Sequence, residues 1–298
     1  NSSVNATINK VKDIREQLSK YDFIEDDFWF VGRKLPRVLG NVVGGNSKLG
    51  SNNEANAVYF TSSYWTMKNN IDMIAKDLVK NNPEVRIIVD QFSSGPPVFA
   101  DIEYQILGED QDILTELGNR LELILSKAPD VYLTRSQSNE YETNLEIDFD
   151  NSSIAYSSSD MDSLINEINF ASNGVVVGSM LDGSKELPIR LKRGEEVSSD
   201  ISQASLLSIS GKSGVEYIEN FSDIKLSRKL GAFSRYKGER ENGVKAWTWP
   251  RSLPSVSEEY LSEDIINFKE NLPSGYRLEQ AGEAAESAES NAQLFASA

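Results

Sequence analysis

The stretch from Gly95 to Leu133 constrains this chain more than any other, because it reads as strand, helix and strand without a gap. Gly95-Pro96-Pro97 is a breaker, since proline has no N–H to continue a ladder. From Val98 to Leu107 alternate residues, Val98, Ala100, Ile102, Tyr104 and Ile106, fall on one face. Gly108-Glu109-Asp110 turns the chain. Ile113, Leu114, Leu117, Leu121, Ile124 and Leu125 then recur at helical spacing. Lys127-Ala128-Pro129-Asp130 ends that helix, and Val131-Tyr132-Leu133 opens the next strand. Periodicity by itself predicts one α+β unit here.

Composition narrows the partners. The net charge of −16 opposes binding to nucleic acid or anionic membrane surfaces, both of which are polyanions. The chain has no cysteine and no histidine, which excludes disulfides, thiolate metal sites and any Ser-His-Asp or Cys-His catalytic arrangement. No apolar run approaches the ~20 residues that span a bilayer. The first residues lack the pattern of a signal peptide. At 298 residues, about two domains are expected.

Elsewhere the pattern predicts a helix over residues 4–20 and an aromatic strand at Phe28-Trp29-Phe30-Val31. A Gly-rich loop from Arg33 to Asn56 follows, preceded by Gly32 and carrying Gly40, Gly44, Gly45 and Gly50. A strand at 58–61, a helix at 71–80 and a buried strand at Val85–Val89 come next. The order helix, strand, strand, helix, strand would be a ferredoxin-like unit lacking its first strand. Downstream, strands are expected near 145–149, 175–177, 187–191, 206–209, 215–218, 244–249 and 276–278, with helices at 157–173 and 261–271. The breaker-free tail from Glu283 to Ala298 should be helical.

Three clusters invite chemistry. Gly211-Lys212-Ser213 is not a phosphate loop, because Leu206 occupies the place of the required upstream glycine. Met67, Met73, Met161 and Met180 are scattered, whereas soft metals want clustered ligands. The aromatic run at 28–30, followed across the loop by Tyr59 and Phe60, is the best binding candidate. Alternation places Phe28 and Phe30 on one face and Trp29 on the other. Two readings stand: a sheet buried under the helices, or one face lining a cleft and stacking on apolar substrate.

The ordered motifs add to this. Gly95-Pro96-Pro97-Val98, Leu107-Gly108-Glu109-Asp110 and Ala128-Pro129-Asp130-Val131 are followed by a strand from Asn144 to Asp150. Asp182-Gly183 with Leu187-Pro188-Ile189-Arg190-Leu191, Leu272-Pro273-Ser274-Gly275-Tyr276 and Ala281-Gly282-Glu283-Ala284 complete the series. This set resembles the second large periplasmic loop of the resistance-nodulation-division (RND) efflux transporters of the acriflavine-resistance type.

The resemblance implies an α+β fold of two ferredoxin-like units with helices on one face of each sheet. Residues 1–94 would form the first porter subdomain and 95–150 plus 231–281 the second. A mostly β docking insertion would span 151–230, and a helix at 282–298 would lead into a membrane span. It implies a periplasmic piece of a proton-driven bacterial inner-membrane pump, excised from a longer chain and performing no chemistry itself. Its partners would be amphiphilic or hydrophobic small molecules, two further copies in a homotrimer, a periplasmic adaptor protein and an outer-membrane channel, with no cofactor and no metal. The implied substrate residues are Phe28, Phe30, Arg33 and Tyr59. The implied switch loop carries Gly32, Gly40, Gly44, Gly45 and Gly50, but has Leu35, Val38, Leu39, Val42 and Val43 where many drug exporters carry aromatics. A free-standing periplasmic binding or adaptor module, and an enzyme working through carboxylates alone, are the competing readings.

Overall fold

The computed structural model describes residues 4–35, 51–91, 100–139, 141–156, 161–191, 208–211, 214–231 and 234–282. The Gly95–Val98 breaker, Gly40, Gly44, Gly45, Gly50 and the tail from Glu283 lie outside the described residues. The chain divides into two compact units, residues 1–141 with 230–298 and residues 142–229.

The first unit opens with α1 (Val4–Leu18), β1 (Ile24–Val31), β2 (Ala55–Thr61) and α2 (Tyr64–Asn81). β1 and β2 pair antiparallel, with Phe28 opposite Val58 and Asp27 opposite Tyr59. Both helices lie on one face of this ribbon, where Ile14, Leu18, Ile74 and Leu78 are buried against Trp29 and Tyr59. α2 begins seven residues before its apolar stripe, at Tyr64, because the Ser63 hydroxyl caps it by accepting from the Thr66 N–H at 3.1 Å. Val85–Val89 is not a strand. Burial there alternates with period two, and Ile87 and Val89 pack on the helix cluster, but no ladder forms. Alternation records an extended backbone; only a hydrogen-bonding neighbour makes it a sheet.

β3 (Ile102–Leu107), α3 (Gln111–Leu125) and β4 (Val131–Ser136) follow. Asp110 caps α3 by accepting from the N–H groups of Asp112 and Ile113. The chain then passes through the second unit. This comprises β5 (Tyr141–Phe149), α4 (Asn151–Tyr156), α5 (Met161–Asn173), the hairpins β6 (Val175–Asp182)/β7 (Lys185–Leu191) and β8 (Ser208–Gly211)/β9 (Gly214–Tyr217), and β10 (Ser222–Leu230). Its small core gathers Ile154, Leu164, Ile218 and Phe221. β5 pairs with β10.

The chain returns as β11 (Ser234–Tyr236), β12 (Glu239–Thr248), α6 (Pro254–Glu270) and β13 (Arg277–Ala281). The resulting sheet runs β13-β3-β12-β4, antiparallel throughout, with the short β11 beside β12 on the edge that β4 shares. Strand, helix, strand, then strand, helix, strand in this order is a ferredoxin-like α+β arrangement. α3 and α6 cover one face of the sheet. Ile102, Ile106, Leu114, Leu121, Val244, Ala246, Leu261 and Phe268 form the principal core there. Ile266 of α6 is 56 % exposed, because the buried side of that helix is set by Leu261 and Phe268, seven residues apart.

Candidate functional site

The β1–β2 ribbon has two unlike faces. Toward the helices lie Asp27, Trp29 and Tyr59. Trp29 and Tyr59 meet edge to face at 5.8 Å. The Trp29 indole N–H donates to Asp27 Oδ2 at 2.6 Å, and the Arg15 guanidinium grips the same carboxylate through two contacts of 2.7 and 2.8 Å. Burial raises the Tyr59 hydroxyl far above the usual phenol range, and the neighbouring Asp27 charge adds to this. A neutral phenol in this position is a packing group.

The other face carries Asp26, Phe28, Phe30, Asn56, Val58 and Phe60, as the register requires. Phe28 and Phe60 are diagonal neighbours across the ladder and meet edge to face at 5.9 Å. Both are about half exposed, 51 % and 52 %. Phe30 is half-buried on the same face. Two aromatic side chains left this open at the centre of a ribbon form an exposed apolar patch.

Of the residues expected at the site, the structure brings Phe28 and Phe30 to one face and places Tyr59 on the opposite one. Phe60 takes the place beside Phe28. Arg33 is exposed just past the end of β1, and its carbonyl accepts from Asn56 Nδ2 at 3.1 Å. Gly32 adopts φ +65°, the left-handed region, and its N–H donates to Glu54 O at 2.8 Å. The far end of the loop is anchored where Thr7 Oγ1 donates to Asn52 O at 2.7 Å.

Sequence comparison matches residues 2–297 to the AcrB/AcrD/AcrF family. The chain belongs to that family. No curated protein matches it. Two crystal forms of a heavy metal efflux pump are similar in structure, with TM-scores of 0.72 and 0.75 at 12 % and 13 % identity. Each alignment covers 99 % of this chain and 31 % of the pump. The chain thus spans about a third of the length of these relatives.

Within this AcrB/AcrD/AcrF member, a second exposed aromatic pair sits at the first turn of α2. Tyr64 and Trp65 are 54 % and 67 % exposed, 5.4 Å apart, with Lys68 Nζ 5.7 Å from each ring. Helical periodicity does not reveal it, because Tyr64–Asn70 precedes the apolar stripe. The Ser63 cap was the available signal. Among the described residues no three His, Cys, Asp or Glu side chains gather at one point, and no helix is long and apolar enough to cross a membrane.

Proposed function

We propose that this chain is the second large periplasmic portion of an inner-membrane RND export pump, and that the outer face of β1–β2 forms part of the wall that holds substrate. The observation that carries this reading is the Phe28–Phe60 pair, half exposed on the face of the ribbon turned away from α1 and α2. Such a face retains apolar or amphiphilic compounds by burial of area, at about 25 cal/mol per Å², and selects little by hydrogen bonding. The portion performs no covalent chemistry. It binds and gates substrate, and it docks, as part of a homotrimer, to an adaptor and an outer-membrane channel. The family match supports the pump assignment.

A soft-metal cargo is the weaker alternative, although similar structures come from a heavy metal efflux pump. The sequence has no cysteine or histidine. Its four methionines are spread over three elements: Met67 and Met73 on α2, Met161 on α5 and Met180 on β6. The test is export by the full-length pump carrying Phe28→Ala or Phe60→Ala. Reduced efflux of bulky apolar dyes at unchanged protein level is expected. Unchanged dye efflux, or loss of metal efflux alone, would reject the reading.

A further inference from the structure

The first unit holds two apolar clusters that share no residue. One lies between the β1–β2 ribbon and α1/α2, the other between α3/α6 and the five-stranded sheet. What joins them is of another kind. Trp249, at the end of β12, stacks on Tyr132 of β4 with ring centroids 4.5 Å apart and planes at 18°. Its backbone is fixed on both sides: its N–H donates to Asp130 O at 3.0 Å, and its carbonyl accepts from the Ser252 N–H at 2.8 Å. α2 of the other half reaches this corner with two residues one turn apart. Asp72 Oδ1 accepts the Arg251 N–H at 2.9 Å, and Lys76 Nζ sits 5.4 Å from the centre of the Trp249 ring.

We propose that Asp72 and Lys76 form a latch on the Tyr132–Trp249 stack, and that this latch sets the angle between the β1–β2 aromatic ribbon and the five-stranded sheet. The physical basis is the contrast in chemistry. Each half is held by its own desolvated core, whereas among the described residues α2 meets the aromatic corner through a charge-assisted hydrogen bond at an exposed site and a cation–π contact. Small polar junctions between separately cored bodies permit relative motion, while large apolar ones suppress it. The aromatic corner supplies a fixed seat, because Trp249 is tied through its backbone to Asp130, just before β4, and to Ser252, just before α6. The α2 side chains are the detachable part, since both are ions on an exposed helix face that water can solvate when they leave.

The absence of native cysteine allows a clean test in the full 298-residue chain. Spin labels at Lys80→Cys on α2 and Lys269→Cys on α6, both exposed positions, report the distance between the halves. Amide exchange reports the latch itself. With Asp72→Ala and Lys76→Ala added, the Arg251 amide should exchange about tenfold faster or more. Amides of β3 and β12 should keep their protection, and the single label distance should broaden or split. An unchanged distance distribution would overturn the proposal by reducing the contact to local packing. Exchange that rises equally through β3 and β12 would also overturn it, because the contact would then belong to the core.

Discussion

Asn242 lies directly against the backbone of Gly118: a Cβ at Gly118 would stand 2.0 Å from Asn242 Nδ2 and 2.7 Å from Ser136 Oγ. This buried amide, 1 % exposed, binds three elements together. Its Nδ2 donates to Leu114 O on α3 and to Ser138 Oγ, each at 2.8 Å, and its Oδ1 accepts from Ser138 N and Ser136 Oγ. A helix can approach a strand this closely only where it carries glycine.

Gly118→Ala should therefore push the amide out of place. Overpacking costs about 1–3 kcal/mol, and an orphaned buried polar group adds about 1–3 kcal/mol more. Urea denaturation should show a lowered midpoint. Asn242→Ala, which leaves Ser138 N and Leu114 O without their partner, should be comparably destabilising.

A second close approach predicts coupling. A Cβ at Gly108 would meet the Tyr276 ring at 2.1 Å, and the Tyr276 hydroxyl accepts from Asp110 N–H at 3.1 Å. Gly108→Ala alone should destabilise the fold by about 1–3 kcal/mol. In a Tyr276→Ala background the same change should cost far less. A double-mutant cycle in urea measures the difference, and strict additivity would contradict the contact.

The two faces of the β1–β2 ribbon should respond differently to truncation. Trp29→Ala removes a residue packed against the Ile14, Leu18, Ile74 and Leu78 cluster and should cost about 3–5 kcal/mol. Phe28→Ala, at a half-exposed position, should cost only about 1 kcal/mol, chiefly its edge contact with Phe60. Thermal unfolding of the two variants checks the ranking. A Phe28→Ala loss as large as that of Trp29→Ala would place the outer face within the core.

Asp150 offers a pH prediction. Hydrogen bonds from the Ser153 hydroxyl and from the Ser152 and Ser153 backbone hold its carboxyl down at about 2. A depressed carboxylate contributes stability above its unfolded pKa of about 4, and loses it as pH falls toward its folded value. The start of α4 should therefore loosen between about pH 4 and pH 2. NMR titration should place the Asp150 midpoint near the lower limit, and Asp150→Asn should remove that dependence from the Ser152 and Ser153 amides.

Local patterns settle much of this chain before any tertiary contact is considered. The spacing of Leu114, Leu117, Leu121 and Leu125 makes α3 amphipathic. Gly108-Glu109-Asp110 stops β3 and caps that helix. Alternation at 28–30 separates Phe28 from Trp29, and the order of motifs points to the transporter family. Pairing is another matter, because a ladder depends on residues far apart in sequence. Val85–Val89 has the side-chain period of a strand but pairs with no strand among the described residues, and β5 pairs with β10, some eighty residues on. The ribbon register sets Asp26 opposite Phe60, which brings Phe60 beside Phe28 and turns Tyr59 inward. A shift of one residue would exchange those roles, since it moves every side chain of a strand to the opposite face. Periodicity is carried by the chain itself; register and partner are fixed only when distant segments compete to bury their faces and satisfy their backbone hydrogen bonds.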